Sequence, residues 1–181
     1  MTETGEPAFT VVTEVPTAEQ MTGLGGRLAR LLAAGDLVIL SGPLGAGKTT
    51  LTQGIGAGLR VRGPVTSPTF VIARVHPSVS GGPDLVHADA YRLGSRAEVD
   101  DLDLEADLAT SVTVVEWGEG LVEALAGSYL AIGIEAVHPG GGEPATCDAE
   151  DSRPRTVRIS GWGERWEQTA GQARAALAGG R

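Results

Sequence analysis

The sequence predicts an α/β domain of three layers, with helices on both faces of a central sheet. Short apolar runs of strand length alternate along the chain with segments of helical periodicity. One of those runs leads straight into a glycine-rich turn that opens a helix. The chain has 181 residues, 41% of them apolar, a length and composition that suit one domain over residues 1–181 with a core of its own.

Phe9–Val15 reads as a strand ended by Pro16. Thr17, three residues before Gln20, forms a capping box for a helix on which Met21, Leu24, Leu28, Leu31 and Leu32 recur at helical spacing. Gly25 and Gly26 weaken that helix without ending it. Gly35 and Asp36 make a turn, and Leu37-Val38-Ile39-Leu40 has the unbroken apolarity of a buried parallel strand. A helix follows from Lys48 to Leu59, then a glycine- and proline-containing loop over 61–68. Residues 69–76 alternate as a strand, 84–88 form another apolar run, and 95–108 are acidic and helical in pieces. Val112-Thr113-Val114-Val115 is a further buried strand ending at Glu116, and 118–126 suit a short helix. Residues 129–137 and 155–160 alternate as strands, the second with Val157 and Ile159 on one face, and 164–177 form a last helix. Between them, 138–154 carry three consecutive glycines, acids and little apolar content, so an exposed, flexible loop is expected.

The net charge is −9. Such a surface disfavours direct binding of free nucleic acid over the whole chain; Arg60, Arg62 and Arg74, which follow the phosphate-loop helix, are the candidates for a local basic patch. The absence of any apolar run of about 18 residues predicts no membrane contact. An acidic N-terminus unlike a signal peptide and a single cysteine, Cys147, lead to a cytoplasmic expectation. His76, His87, His138 and Cys147 lack the spacing of a zinc site. The chain has 27 glycines, no asparagine and one lysine, Lys48. This composition fits codon pressure that replaces lysine by arginine. The one lysine kept therefore sits where an ammonium is needed.

That place is Gly42-Pro43-Leu44-Gly45-Ala46-Gly47-Lys48-Thr49, a G-x-x-x-x-G-K-[ST] loop between a buried strand and a helix. Its glycines let backbone N–H groups wrap a phosphate chain, and the helix adds its positive end. Gly42, Gly45, Ala46, Gly47 and Thr50 supply backbone to that cradle, Lys48 reaches the terminal phosphates, and Thr49 ligates Mg²⁺. An N-K-x-D guanine-reading sequence is impossible without asparagine, so ATP is the expected nucleotide.

Such a site needs a carboxylate at a strand end, and two are available, Asp89 and Glu116. Each can hold Mg²⁺ directly or through water, or orient the attacking water. Thr66, Ser67 and Thr69 lie in the loop where hydroxyls sense a terminal phosphate, but the same residues around Pro68 also make an ordinary turn. His87 is expected to pack or hydrogen-bond, Trp117 to belong to the core or to line the nucleotide site, and Tyr91 with Arg92 to form a structural pair or a surface contact. Trp162 and Trp166, four apart, read as packing.

The ordered set of the phosphate loop, Ser67-Pro68-Thr69-Phe70, His87-Ala88-Asp89-Ala90-Tyr91-Arg92-Leu93 and Val115-Glu116-Trp117-Gly118-Glu119 resembles the TsaE (YjeE) family. The acidic stretch from Ala97 to Glu105 is similar to the family's segment between its last two motifs. The resemblance implies a P-loop NTPase fold with a mixed parallel and antiparallel sheet. It implies slow Mg-dependent ATP hydrolysis in tRNA threonylcarbamoyladenosine synthesis beside TsaB and TsaD partners, with tRNA reached only through the complex. By the same resemblance, TsaD is expected to transfer the threonylcarbamoyl group to adenosine 37 of tRNAs reading ANN codons, and the ATPase to reset the complex between turnovers. By position, the resemblance makes Lys48 the phosphate-binding residue, Thr49 the Mg²⁺ ligand, Asp89 and Glu116 metal-site or water-orienting acids, Thr69 a switch-loop residue and Trp117 a neighbour of the nucleotide. The chain departs from the family at Pro43, where an acid is usual, and at Ala88, where an aromatic is usual. Neither position is expected to carry chemistry, because the loop offers backbone at the first and Ala88 points into the core. A small-molecule kinase of P-loop type is the alternative, less supported because the only long flexible segment is acidic and carries no arginine-rich lid.

Overall fold

The strand order β1-β7-β6-β2-β5-β4-β3 defines the sheet built by the described residues, which in this computed structural model are 5–68, 73–93, 95–100, 104–137 and 154–178. The strands are β1 (Phe9–Val15), β2 (Leu37–Ser41), β3 (Ala73–His76), β4 (Asp84–Asp89), β5 (Ser111–Glu116), β6 (Tyr129–Ala136) and β7 (Arg155–Trp162). β6, β2, β5 and β4 run parallel, and antiparallel strands extend both sides. The fold is therefore α/β with a mixed sheet.

β2 lies at the centre, and its composition explains why. Leu37, Val38, Ile39 and Leu40 are all buried, with Val38 and Leu40 in one core cluster and Leu37 and Ile39 in the other. A strand apolar on both faces is stable only with cover on both. The first cluster lies under α1 (Ala18–Ala29), α2 (Lys48–Leu59) and α5 (Glu164–Ala178), the second under α3 (Arg96–Asp100) and α4 (Leu104–Leu108). Thr17 caps α1, its hydroxyl accepting from the Gln20 N–H at 3.2 Å. Trp166 is fully buried edge-on to Phe9, whereas Trp162 stacks on Tyr129, so the two tryptophans pack in different places.

Glycines set the separation of α1 and α2. A Cβ on Gly25 would meet the Ile55 nitrogen at 2.7 Å, and one on Gly54 would fall on the Thr22 carbonyl. The glycines that weaken α1 as a helix thus let the phosphate-loop helix approach it backbone to backbone.

Two expectations change in detail. α1 stops at Ala29, with Leu31 and Leu32 folded back by N–H bonds to the Leu28 carbonyl, and Leu32 still reaches the core. The helix expected over 118–126 is a run of turns with a single 3-10 turn at Glu123–Leu125. Gly120 sits at φ +79°, in the left-handed region, and its N–H donates to the Glu123 carboxylate at 2.6 Å, which breaks a helical ladder. Of the strand expected over 69–76, Ala73–His76 is strand and the first four residues lie outside the described ones. Residues 138–153, with Cys147 and nearly all of the expected loop, also lie outside them. Among the described residues, no helix is long and apolar enough to cross a membrane.

Candidate functional site

The phosphate loop leaves the C-terminal end of β2, the edge of an open α/β sheet where ligands are bound. Gly42, Gly45 and Gly47 take φ of +140°, +77° and +106°. A Cβ on Gly42 would also fall on the Ile134 carbonyl, so shape and backbone angle both demand glycine there. Gly47 is the N-cap of α2 and has no side chain to satisfy the first N–H groups of the helix, which leaves them to an anion. Ala46 is buried beneath the loop, Thr50 is the third residue of α2, and Leu44 at the loop's tip is almost fully exposed.

Lys48, the first residue of α2, is 5% exposed. Its ammonium donates to the carbonyls of Gly42 at 2.7 Å and Pro43 at 2.9 Å, so Pro43 acts through its backbone alone. The same ammonium lies 4.0 Å from the centroid of the Trp117 ring, within cation–π reach. Burial lowers the Lys48 pKa below the ordinary lysine value, against the opposing pull of Glu116 and Asp89. Trp117 itself sits at φ +61°, held there by its N–H bond to the Leu40 carbonyl at 2.8 Å. Tyr91 packs on it at 5.3 Å between centroids, with its own ring largely exposed.

The parallel register of β4 and β5 sets Asp89 directly beside Glu116, at matching strand ends. Leu85, His87 and Asp89 share one face of β4; Val112, Val114 and Glu116 share the same face of β5. Leu85, Val112 and Val114 belong to the core cluster under α2, so Glu116, His87 and Asp89 face the phosphate-loop helix. Glu116 is buried, and its Oε1 accepts from the Thr49 hydroxyl at 2.9 Å. Asp89 is half-buried and accepts the Tyr91 N–H at 2.9 Å. Lys48, Thr49, Asp89, Glu116 and Trp117 are thus gathered at one end of the sheet. Thr69 lies outside the described residues.

Two neighbours of this group were not among the residues singled out as site candidates from the sequence. His87 hydrogen-bonds Glu116 Oε1 through Nε2 at 2.9 Å, and Tyr91 flanks Trp117. The spacing of His87 and Asp89, two apart in a strand, already places both on one face and is the signal that could have found the histidine.

The family model for the threonylcarbamoyl adenosine biosynthesis protein TsaE matches residues 15–140. The chain belongs to the TsaE family. Over 147 residues it is 59% identical to the tRNA threonylcarbamoyladenosine biosynthesis protein TsaE of Streptomyces coelicolor, spanning 81% of this chain and 93% of that protein. The protein of the same name from Mycobacterium tuberculosis is 51% identical over 130 residues, spanning 68% of this chain and 77% of that one. The crystal structure of Bacillus subtilus YdiB superposes with a TM-score of 0.69 at 27% identity, covering 92% of this chain and 95% of that chain. Family membership and this structural likeness agree with the P-loop fold expected from the motifs.

Proposed function

We propose that this chain binds Mg-ATP and hydrolyses it slowly as a subunit of the machinery that makes threonylcarbamoyladenosine in tRNA, acting beside TsaB- and TsaD-like partners. The observation that carries this reading is the meeting of Lys48, Thr49 and Glu116 at the mouth of a glycine loop. The names of its TsaE relatives support the pathway.

The donor set suits Mg²⁺. Thr49, Glu116 and Asp89 offer oxygen only, and among the described residues no group of three or more His, Cys, Asp or Glu forms a metal cage. Mg²⁺ is commonly held by one or two protein oxygens together with substrate phosphates, which is what this edge provides. Thr49 and Glu116 would hold it, with Asp89 beside them; bound there, it would neutralise charge growing on the β- and γ-phosphate oxygens. Lys48 would exchange the Gly42 and Pro43 carbonyls for phosphate oxygens, a stronger charge-assisted pairing. The loop N–H groups and the first turn of α2 would cradle the β-phosphate. A carboxylate that does not hold the metal would orient the attacking water.

Glu116→Ala separates binding from hydrolysis. The variant should keep ATP and lose about 10²-fold or more in phosphate release. Phosphate release that rises when TsaB- and TsaD-like proteins are added, without any phosphorylated small molecule, is the expected behaviour of the parent chain. Undiminished hydrolysis in Glu116→Ala, or a phosphorylated acceptor, would refute the reading.

A further inference from the structure

The geometry points to His87 as a positioning residue that aims the Glu116 carboxylate at Thr49 and at the cation that Thr49 would share. The inference rests on the Mg-ATP reading above. His87 is fully buried in the middle of β4, an expensive place for an imidazole that does not use its polar atoms. Among the described residues its Nδ1 has no partner, so Nε2 to Glu116 Oε1, at 2.9 Å, is the hydrogen bond that compensates its burial. The same Oε1 accepts from Thr49, so two groups 38 positions apart in sequence, one on α2 and one on β4, converge on one oxygen. The other carboxylate oxygen is taken by neither of them.

Strand geometry explains the choice of residue. Asp89 pairs directly with Glu116 across β4 and β5, and His87 pairs with Val114, one same-face step earlier. A side chain at position 87 therefore reaches Glu116 along the strand, from the core side, while Asp89 stands beside Glu116 at the strand end. Glutamate has three rotatable bonds, and nothing in the backbone of β5 selects the one conformation that meets Thr49. An imidazole fully buried on the same face of the sheet and hydrogen-bonded to one oxygen removes that freedom. Partners of this kind, which hold a ligating carboxylate in place, typically change metal affinity about 10- to 100-fold when lost.

The test measures Mn²⁺ bound by the full chain in the presence of a non-hydrolysable ATP analogue, by the electron paramagnetic resonance signal of free Mn²⁺. His87→Leu and His87→Asn both lack a donor at the Nε2 position. Each should weaken Mn²⁺ binding by about 10-fold or more while leaving metal-free affinity for the analogue unchanged. His87→Gln, whose amide reaches the same place, should recover most of the loss. In a Glu116→Ala background, His87→Leu should add no further loss, because the histidine acts through the carboxylate. Should His87→Leu not fold, His87→Asn carries the comparison. Wild-type Mn²⁺ affinity in the folded Leu or Asn variant would overturn the assignment, as would losses that multiply independently with Glu116→Ala. A wild-type chain that takes up no Mn²⁺ with the analogue would instead defeat the Mg-ATP reading itself.

Discussion

Replacing Gly54 by alanine puts a single methyl group between the two helices that carry and brace the phosphate loop. An added Cβ would stand 2.9 Å from both the carbonyl carbon and the Cα of Thr22, and closer still to its oxygen. Those atoms are backbone, so no rotamer change relieves the contact, and α1 must move away from α2. In a helix interior the same exchange otherwise stabilises by about 0.5–1 kcal/mol. Overpacking of a fitted interior costs about 1–3 kcal/mol, and a backbone-on-backbone clash belongs to the upper part of that range. The net expectation for Gly54→Ala is destabilisation by about 1–2 kcal/mol. For a chain of this length that lowers Tm by about 2–8 °C. Gly23 supplies the control, since it lies in α1 with nothing within 4 Å of its added Cβ. Gly23→Ala should raise stability by about 0.5–1 kcal/mol. Urea or thermal unfolding followed by circular dichroism reads both variants. A Gly54→Ala protein as stable as the parent, or more so, would refute the claim that glycine sets the α1–α2 distance.

Lys48→Ala removes an ammonium whose exchange of loop carbonyls for phosphate carries the nucleotide reading. Affinity for ATP by calorimetry should fall about 10- to 100-fold, and an unchanged affinity would remove the loop from the site. Trp117 stands over that ammonium, whereas Trp162 stacks on Tyr129. ATP should therefore change tryptophan emission in the parent chain and in Trp162→Phe but not in Trp117→Phe; a change that survives Trp117→Phe would place the nucleotide elsewhere. Asp36 is buried, and burial raises its carboxyl above the ordinary aspartate value despite the Ala33 N–H and Arg165. The folded chain then holds more protons than the unfolded chain between the ordinary and the raised value. The group's stabilising contribution is present below the ordinary value and is lost as pH climbs through the folded one. Urea stability measured from about pH 3 to 6 should fall less with rising pH in Asp36→Asn than in the parent, and identical slopes would contradict the raised value.

Legibility from sequence followed the range of each interaction. β1 and α2 begin and end where the apolar pattern, Pro16 and the glycine loop place them, because those signals act within a few residues. The stretch over 118–126 misled for a local reason too, since Gly120 at positive φ outweighs a weak helical pattern. Gly25 looked like a defect in α1 because its function is to admit Leu51 and Ile55 of another helix, about which α1 alone carries no signal.

For the site, the sequence by itself determined the loop: glycines that tolerate positive φ, a lone lysine, a threonine and the strand and helix on either side. It also determined two acids at strand ends and left their roles open. Only the tertiary structure decided that Glu116 meets Thr49 across 67 positions, that Asp89 lies beside it, and that His87 holds the same oxygen from below. The physical reason is that residues on different strands meet through sheet order and register. In this chain the parallel alignment of β4 on β5 and β5 on β2 brings the two carboxylates and the imidazole to the phosphate loop.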